Sequence, residues 1–185
     1  MDSLELTRGP ARRTWLRHVL DSARRVTGDD ANGCPVTHAV SSPGLVRPQT
    51  SLEWSATVTG LSACRYEIQL DRRPVPGLVG SVSYDAAAAT RIVDAIRRAP
   101  AVAGPDAPGT VAGEYRYGTE ATVLRFQTAQ GVREVFVRYD GSELNGFDNG
   151  TERRRLITEA VEFMTGPLAQ WSGMGPTAEL FPRPR

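Results

Sequence analysis

The sequence predicts an α+β fold, in which an antiparallel sheet of five or six strands has helices packed on one face. Three observations support this class. Apolar and polar residues alternate in several short runs, with the two-residue period of a strand. Three other runs repeat apolar residues at helical spacing. Two of the alternating runs, between Thr122 and Tyr139, are separated only by a short turn, which is typical of an antiparallel hairpin.

The predicted hairpin has one apolar face and one face that we expect to meet solvent. Successive side chains of a strand point to opposite faces, so Leu124 and Phe126 lie together in the first strand. The second strand has two opposed sets, which are Val135, Val137 and Tyr139 on one face and Glu134, Phe136 and Arg138 on the other. Residues 129–131 form the turn, where Gly131 can adopt the left-handed conformation without a Cβ clash.

The other strands are predicted from the same alternation. Half-buried strands are expected at 52–58, 64–70 and 78–84, with turns at 60–62 and 71–77. A further short strand is expected at 111–117, and the segment 140–150 is the most turn-dense of the chain. These runs, together with the hairpin, give the five or six strands of the predicted sheet.

Three segments have the periodicity of helices. The first begins at Pro10 and ends at Gly28, with its apolar residues between Trp15 and Val26. The second begins after Asp85, which is a good N-cap, and ends before Pro100. The third carries apolar residues from 156 to 164 and ends at 166–167, a Gly-Pro pair. We therefore expect an N-terminal helix and irregular connection over 1–49, a single α+β domain over 50–168 and an extended tail over 169–185.

Composition excludes several classes of function. The chain has 185 residues, a formal net charge of +1 and 40% hydrophobic residues, which argues against a nucleic-acid footprint built on bulk charge. All 22 basic residues are arginine, so Schiff-base chemistry, a lysine base and a P-loop are excluded. No apolar run reaches the length of a transmembrane helix. A cofactor is not expected.

Two cysteines, Cys34 and Cys64, leave a disulfide and two unlinked thiols open as alternatives. A disulfide would close a loop of roughly 30 residues and stabilise the fold by about 3–4 kcal/mol. The N-terminal arginines are not followed by the apolar stretch of a signal peptide, so as written the chain is expected in the cytoplasm. It is expected to be exported if this N-terminus is truncated.

The run from Ala121 to Leu168, with LSACRYEI and Tyr84 to Pro100 upstream, resembles a recurrent domain of small uncharacterised exported proteins and lipoproteins of actinobacteria. The resemblance covers about residues 50–168 and implies a fold, but no established activity. Such proteins often carry a cysteine where this chain has Ser142, and a partner near Tyr115. Both cysteines are absent here, which suggests the hypothesis of a move into the reducing cytoplasm.

Candidate site residues come from the strand faces and from the turn-dense segment. Tyr66, Tyr84 and Tyr139 occupy inward positions of predicted strands, where they could line an apolar pocket or the rim of a filled core. The polar candidates are Arg138, Glu143 and Asp148. We expect no metal site, because the cysteine and histidine spacings match no known finger and the acidic segment fails the calcium-loop pattern.

No motif in the sequence fixes a chemistry, so the function is predicted only by class. The first hypothesis is a non-catalytic module that binds a small molecule or a protein. The alternative is a cofactor-independent enzyme, of the cyclase or isomerase type, acting on a largely apolar biosynthetic metabolite through shape and a few polar groups. A structural subunit is a third hypothesis, and a homo-oligomer is left open.

Overall fold

A computed structural model describes residues 17, 27–42, 44–68, 77–102, 116–141, 143–161 and 164. These residues form one antiparallel sheet in the order β2-β1-β4-β5-β6-β7-β3. The elements are β1 (Val58–Glu67), β2 (Leu78–Tyr84), α1 (Ala86–Arg98), β3 (Ala101–Val102), β4 (Glu120–Thr128), β5 (Gly131–Arg138), β6 (Gly146–Asp148) and β7 (Arg153–Arg154). The α+β class is confirmed, but with seven strands and, apart from the helical backbone of Arg17, a single described α-helix.

The hairpin and the central helix are formed as the sequence predicts. In the β4–β5 hairpin Thr128 pairs with Gly131, whose φ of +95° is the left-handed conformation that favours glycine. Helix α1 begins after Asp85, whose side chain accepts a hydrogen bond from the Ala88 amide at 2.8 Å. Its buried residues are Ala88, Ala89, Ile92, Val93, Ala95 and Ile96. They pack on the sheet over β1.

The prediction of two strands with a turn at 60–62 is wrong. A single strand, β1, begins at Val58 and continues through Gly60 to Glu67. The glycine marks a shift in the register with β4 between Val58 and Gly60 instead of a turn. Leu52 and Trp54 are buried as the alternation suggests, although they lie before the strand.

The predicted third helix is also wrong. Residues 153–154 are extended and pair with both β6 and β3, and the described residues that follow contain 3-10 backbone at Thr158–Ala160 and at Met164 but no α-helix. The apolar residues of this run nevertheless reach the core, where Ala160 and Val161 are fully buried. The short strands β3, β6 and β7, which lack any alternating run, account for the excess over the predicted number.

The sheet has two covered faces. The helix face packs against α1 and is apolar, with Leu61, Ala63, Leu124, Phe126, Val135, Val137 and Phe147 among its buried residues. The opposite face, called here the disulfide face, carries Cys64, Tyr66, Val123 and Phe136 and is covered by residues 27–50. The prediction that one hairpin face meets solvent is therefore wrong, because Phe136 is 2% exposed and Arg138 is 1% exposed.

A disulfide joins the covering segment to the sheet. Cys34 and Cys64 are bonded, with their Cα atoms 5.6 Å apart, and both residues are fully buried. The Tyr66 hydroxyl donates a hydrogen bond to the Pro35 carbonyl at 2.7 Å, one residue from the disulfide. Cys34 and Cys64 therefore form a disulfide and are not two unlinked thiols.

Several predictions concern residues that lie outside the part of the chain described by the structure. They are the N-terminal helix other than Arg17, the strand positions 111–115 with Tyr115, Ser142 and the tail over 169–185. Among the helices that are described, none is long and apolar enough to span a bilayer.

Candidate functional site

The six candidate residues are divided between the two faces of the sheet. Tyr84 and Tyr139 pack against the core of the helix face. Tyr66 lies on the disulfide face, as do Arg138, two residues from Phe136 on β5, and Asp148, which stands opposite Phe136 in the β5–β6 ladder. The structure therefore does not bring the three tyrosines together. It places Arg138 and Asp148 on one face of neighbouring strands, while Glu143 lies in the segment between β5 and β6.

Arg138 is the largest of the fully buried side chains in the described structure. Its Nη2 donates a hydrogen bond to the Val46 carbonyl at 2.7 Å, and its Cζ lies 5.8 Å from the centroid of the Phe136 ring. Neither Nε nor Nη1 has a hydrogen-bond partner among the residues described. Burial lowers the pKa of Arg138 from its ordinary value, although the charge of Asp148 opposes this effect.

Asp148 is already bound by another arginine. Arg47 donates from Nε to Oδ2 at 2.8 Å and from Nη2 to Oδ1 at 2.7 Å, so the two groups form a bidentate ion pair. The hydrogen bond to Asp148 raises the pKa of Arg47. The Gly150 amide also donates to Asp148 Oδ1, at 2.8 Å. Asp148 therefore acts on Arg138 through its charge, while its oxygens are held by other donors.

Glu143 is held in a similar way by Arg116, whose Nε lies 2.6 Å from Oε2. The Arg116 Cζ lies 5.5 Å from the centroid of the Tyr117 ring. The phenol of Tyr117 is in turn close enough to Arg138 to influence its pKa. Arg47, Arg116, Arg138, Glu143 and Asp148 are called the arginine cluster below.

Gly118 and Gly141 let the segment that carries Arg116 come into backbone contact with the segment that carries Glu143. A Cβ on Gly141 would lie 2.6 Å from the Gly118 amide nitrogen, and a Cβ on Gly118 would collide with the Asp140 carboxylate at 1.9 Å. Asp140 Oδ2 also links the two segments, because it accepts hydrogen bonds from the Thr119 amide at 3.0 Å and from the Thr119 hydroxyl at 2.7 Å. This close approach sets Arg116 beside Glu143, whose amide donates to the Arg116 carbonyl at 3.0 Å.

A second polar cluster lies on the same face and is internally satisfied. His38 Nδ1 accepts a hydrogen bond from the Val40 amide at 3.1 Å, and its Nε2 lies 3.2 Å from Glu134 Oε2. Arg125 Nε lies 3.3 Å from Glu134 Oε1. Burial would raise the pKa of Glu134, but the hydrogen bond with His38 and the neighbouring guanidinium of Arg125 hold it below the ordinary value. Both ring nitrogens of His38 are thus engaged, which leaves it without a free atom for proton transfer.

The tyrosine candidates on both faces also have internal partners. The hydroxyl of Tyr66 is bonded to the Pro35 carbonyl, and that of Tyr139 donates to Glu120 Oε2 at 2.9 Å. Burial raises the pKa of both phenols, and for Tyr139 the charge of Glu120 adds to the rise. Tyr84 is half-buried at the end of β2. The hydroxyls of Tyr66 and Tyr139 therefore stabilise the fold and are poorly placed for acid–base chemistry.

Sequence reasoning missed Arg47, Arg116, His38, Glu134 and Arg125. All five lie in turns or at strand positions whose interpretation depended on knowing that residues 27–50 cover the sheet. No local signal distinguishes Arg47 or Arg116 from the chain's other arginines. In the ranges that the structure describes, no group of three or more histidine, cysteine, aspartate or glutamate side chains could hold a metal ion.

Comparison with protein-family models, with curated protein sequences and with solved structures finds no significant match. The resemblance of residues 50–168 to an exported actinobacterial domain therefore stays a prediction.

Proposed function

We propose that the protein is a non-catalytic binding module, and that its ligand presents an oxyanion, a carboxylate or a phosphate group, to Arg138. One observation carries this proposal. Arg138 is 1% exposed, yet its Nε and Nη1 have no hydrogen-bond partner in the described part of the chain. Nε carries one N–H group and Nη1 carries two, so several donors of a buried cation are left for an external acceptor.

Among the residues that the structure describes, the charge of Arg138 also lacks a dedicated partner. Its contact with the Val46 carbonyl supplies a dipole and no charge. The carboxylates of the cluster are paired elsewhere, Asp148 with Arg47 and Glu143 with Arg116. An unmade hydrogen bond of a buried group costs about 1–3 kcal/mol, and more for a charged group. A bound oxyanion would recover that free energy and neutralise the guanidinium.

Arg125 shows how the charge of a comparable arginine is paired within the fold, although its Nε also lacks a hydrogen-bond partner among the described residues. Its guanidinium lies beside Glu134, 3.3 Å away, and Asp29, 3.4 Å away, and it donates to the Gly33 carbonyl. Arg125 thus has carboxylates and a carbonyl, whereas Arg138 has one carbonyl. The contrast between two arginines on one face supports assigning the ligand to Arg138.

Binding is favoured over catalysis by the state of the other candidate groups. The hydroxyls of Tyr66 and Tyr139 and both ring nitrogens of His38 have partners within the protein. A general acid or base must instead reach a proton of the substrate. The described geometry therefore gives the cofactor-independent enzyme no observation in its favour.

The proposal is tested by titrating acetate and inorganic phosphate into the full-length protein. The signal followed is the Arg138 Nε–H resonance in a nitrogen-15 correlation spectrum. We expect a saturable shift with at least one of the anions and a Kd in the micromolar to millimolar range, because ligands this small gain at most about 1.5 kcal/mol per heavy atom and cannot bind more tightly. Arg138→Gln should weaken binding tenfold or more, because the buried charge is lost.

The matched control is Arg98→Gln, at an exposed position in the last turn of α1, which should bind the anions as the unaltered protein does. Arg138→Gln is expected to fold, because removing a buried charge that lacks an ionic partner costs little stability. Anion affinity that survives in Arg138→Gln, or the absence of any saturable shift with either anion, would refute the assignment.

A further inference from the structure

His38 caps the 3-10 turn Ala39–Ser41 with a hydrogen bond that requires a neutral ring. The Val40 amide donates to Nδ1 at 3.1 Å, so this nitrogen presents a lone pair and carries no proton. Nε2, which lies 3.2 Å from Glu134 Oε2, therefore carries the ring proton and donates it to the carboxylate. A second proton can be taken up only at Nδ1, where the Val40 N–H group already points.

The other contacts of the imidazole hold the ring in place. Its centroid lies 5.2 Å from that of the Tyr66 ring, on β1, and 5.4 Å from that of the Phe136 ring, on β5. Protonation keeps the hydrogen bond to Glu134 and makes it an ion pair, which is stronger than a neutral hydrogen bond. The ring therefore stays where it is, and the contact that breaks is the one with the Val40 amide.

We infer that His38 is a pH-sensitive cap of the covering segment, in which a proton on Nδ1 displaces the Val40 amide and opens the turn Ala39–Ser41. Val40 is 1% exposed and belongs to the buried cluster of the disulfide face, so its amide loses its acceptor in a place that water does not reach. Histidine is the side chain that ordinarily changes charge between about pH 5 and 8, so mild acid loosens the cover. This cap and the oxyanion site proposed above do not depend on each other.

The charged and titratable groups around the ring belong to three strands and to the covering segment. Glu134 on β5 faces Nε2, and Arg125 on β4 lies 3.3 Å from the other oxygen of that carboxylate. Asp29, in the covering segment, lies 3.4 Å from Arg125, and Tyr66 on β1 is the remaining titratable neighbour. In the described structure the hydrogen bond at Nδ1 comes from the Val40 amide and from none of these groups. They can alter the pH at which the ring titrates, but the displacement of that amide is specific to His38.

Amide hydrogen exchange of the unaltered, full-length protein tests the inference. Protection of the Val40 amide, corrected for the intrinsic pH dependence of exchange, is compared with that of the Ala88 amide, which is capped by Asp85. We expect the ratio of Val40 to Ala88 protection to fall by about fivefold or more between pH 8 and pH 5, as one hydrogen bond is lost. Over the same range the nitrogen-15 shift of His38 Nδ1 should change from that of an unprotonated to that of a protonated ring nitrogen.

The substitution His38→Asn separates the cap from its titration. An asparagine oxygen accepts a hydrogen bond at an N-cap but does not titrate, so protection of the Val40 amide should become independent of pH. The matched control is His18→Asn, which replaces the other histidine of the chain and should keep the pH dependence of the unaltered protein.

Three outcomes would overturn the inference. Loss of Val40 protection in acid that persists in His38→Asn would assign the opening to another group. A Val40 amide that stays protected while Nδ1 is protonated would show that the turn does not respond, and an Nδ1 still unprotonated at about pH 5 would remove the switch. The last two outcomes are measured on the unaltered protein, so they decide the question even if His38→Asn does not fold.

Discussion

The two faces of the sheet differ in the kind of contact that holds them together. The helix face is an apolar core formed by several strands and α1, where each buried side chain packs against other apolar side chains. The disulfide face is covered by residues 27–50, whose described positions have no regular structure beyond the 3-10 turn Ala39–Ser41 and single bridges. It holds the disulfide, the His38–Glu134–Arg125 group and the arginine cluster. Stability is spread over the first face, whereas the second face depends on particular contacts.

The helix face should show the largest loss of stability on substitution. Phe126→Ala removes a fully buried ring from β4 and is expected to lower the free energy of unfolding by about 3–5 kcal/mol, through lost burial and the cavity left behind. Urea unfolding followed by circular dichroism measures the change. Val79→Ala, at a position 48% exposed on β2, is the control and should stay within about 0.5 kcal/mol. A loss below about 1 kcal/mol for Phe126→Ala would contradict the packing described.

The disulfide face should respond next to the loss of its covalent link. The double substitution Cys34→Ala with Cys64→Ala is expected to lower the free energy of unfolding by about 3–4 kcal/mol, because a link across a sequence separation of 30 no longer restricts the unfolded chain. Urea unfolding of the unaltered protein in reducing agent should give a similar loss. A midpoint that is the same with and without reductant would mean that the segment is held by its other contacts alone.

The smallest effect concerns the charge of Glu134. Its folded pKa lies below the ordinary 4.5, so its stabilising contribution is complete above about 4.5 and is lost as the pH falls through the folded value. Glu134→Gln should therefore be less stable than the unaltered protein near pH 6, by about 1–2 kcal/mol. The difference should shrink toward pH 3. Urea midpoints at several pH values measure it.

The control for the substitution is Glu53→Gln, at an exposed position, which should change the stability near pH 6 by less than about 0.5 kcal/mol. A stability difference for Glu134→Gln that stays constant from pH 6 to pH 3 would show that the contribution comes from packing and not from the ionised carboxylate.

The same contrast explains what the sequence could and could not predict. The hairpin, the Asp85 cap and the apolar stripe of α1 are local patterns, and the structure contains each of them. The short strands β3 and β7 arise from pairing between Ala101–Val102 and Arg153–Arg154, with no local signal in either pair. The run after Arg155 has helical spacing, yet the arginines before it are paired as a strand, and the described residues of the run include a 3-10 turn at Thr158–Ala160.

The candidate site itself stays a prediction. Arg138, Glu143 and Asp148 were chosen for their polar chemistry in and beside the turn-dense segment, and in the structure Asp148 pairs with Arg47 and Glu143 with Arg116. Their partners Arg47 and Arg116 were missed, since nothing near them in sequence says which carboxylate they meet. A polar position on a strand suggests solvent, and only the covering segment shows that Arg138 is buried.

The covering segment also sets an order of events during folding. Its contacts with Glu134, Arg138 and Asp148 span 96, 92 and 101 positions of the chain. A ribosome releases residues 27–50 long before the strands that receive them, and closing such distant contacts is slow. These three contacts must therefore wait for β5 and β6, whereas the disulfide and the Tyr66–Pro35 hydrogen bond span only 30 and 31 positions. Until then the newborn chain exposes Phe136 and the strand edge that Thr50 later covers, which is the interval in which a chaperone would protect it.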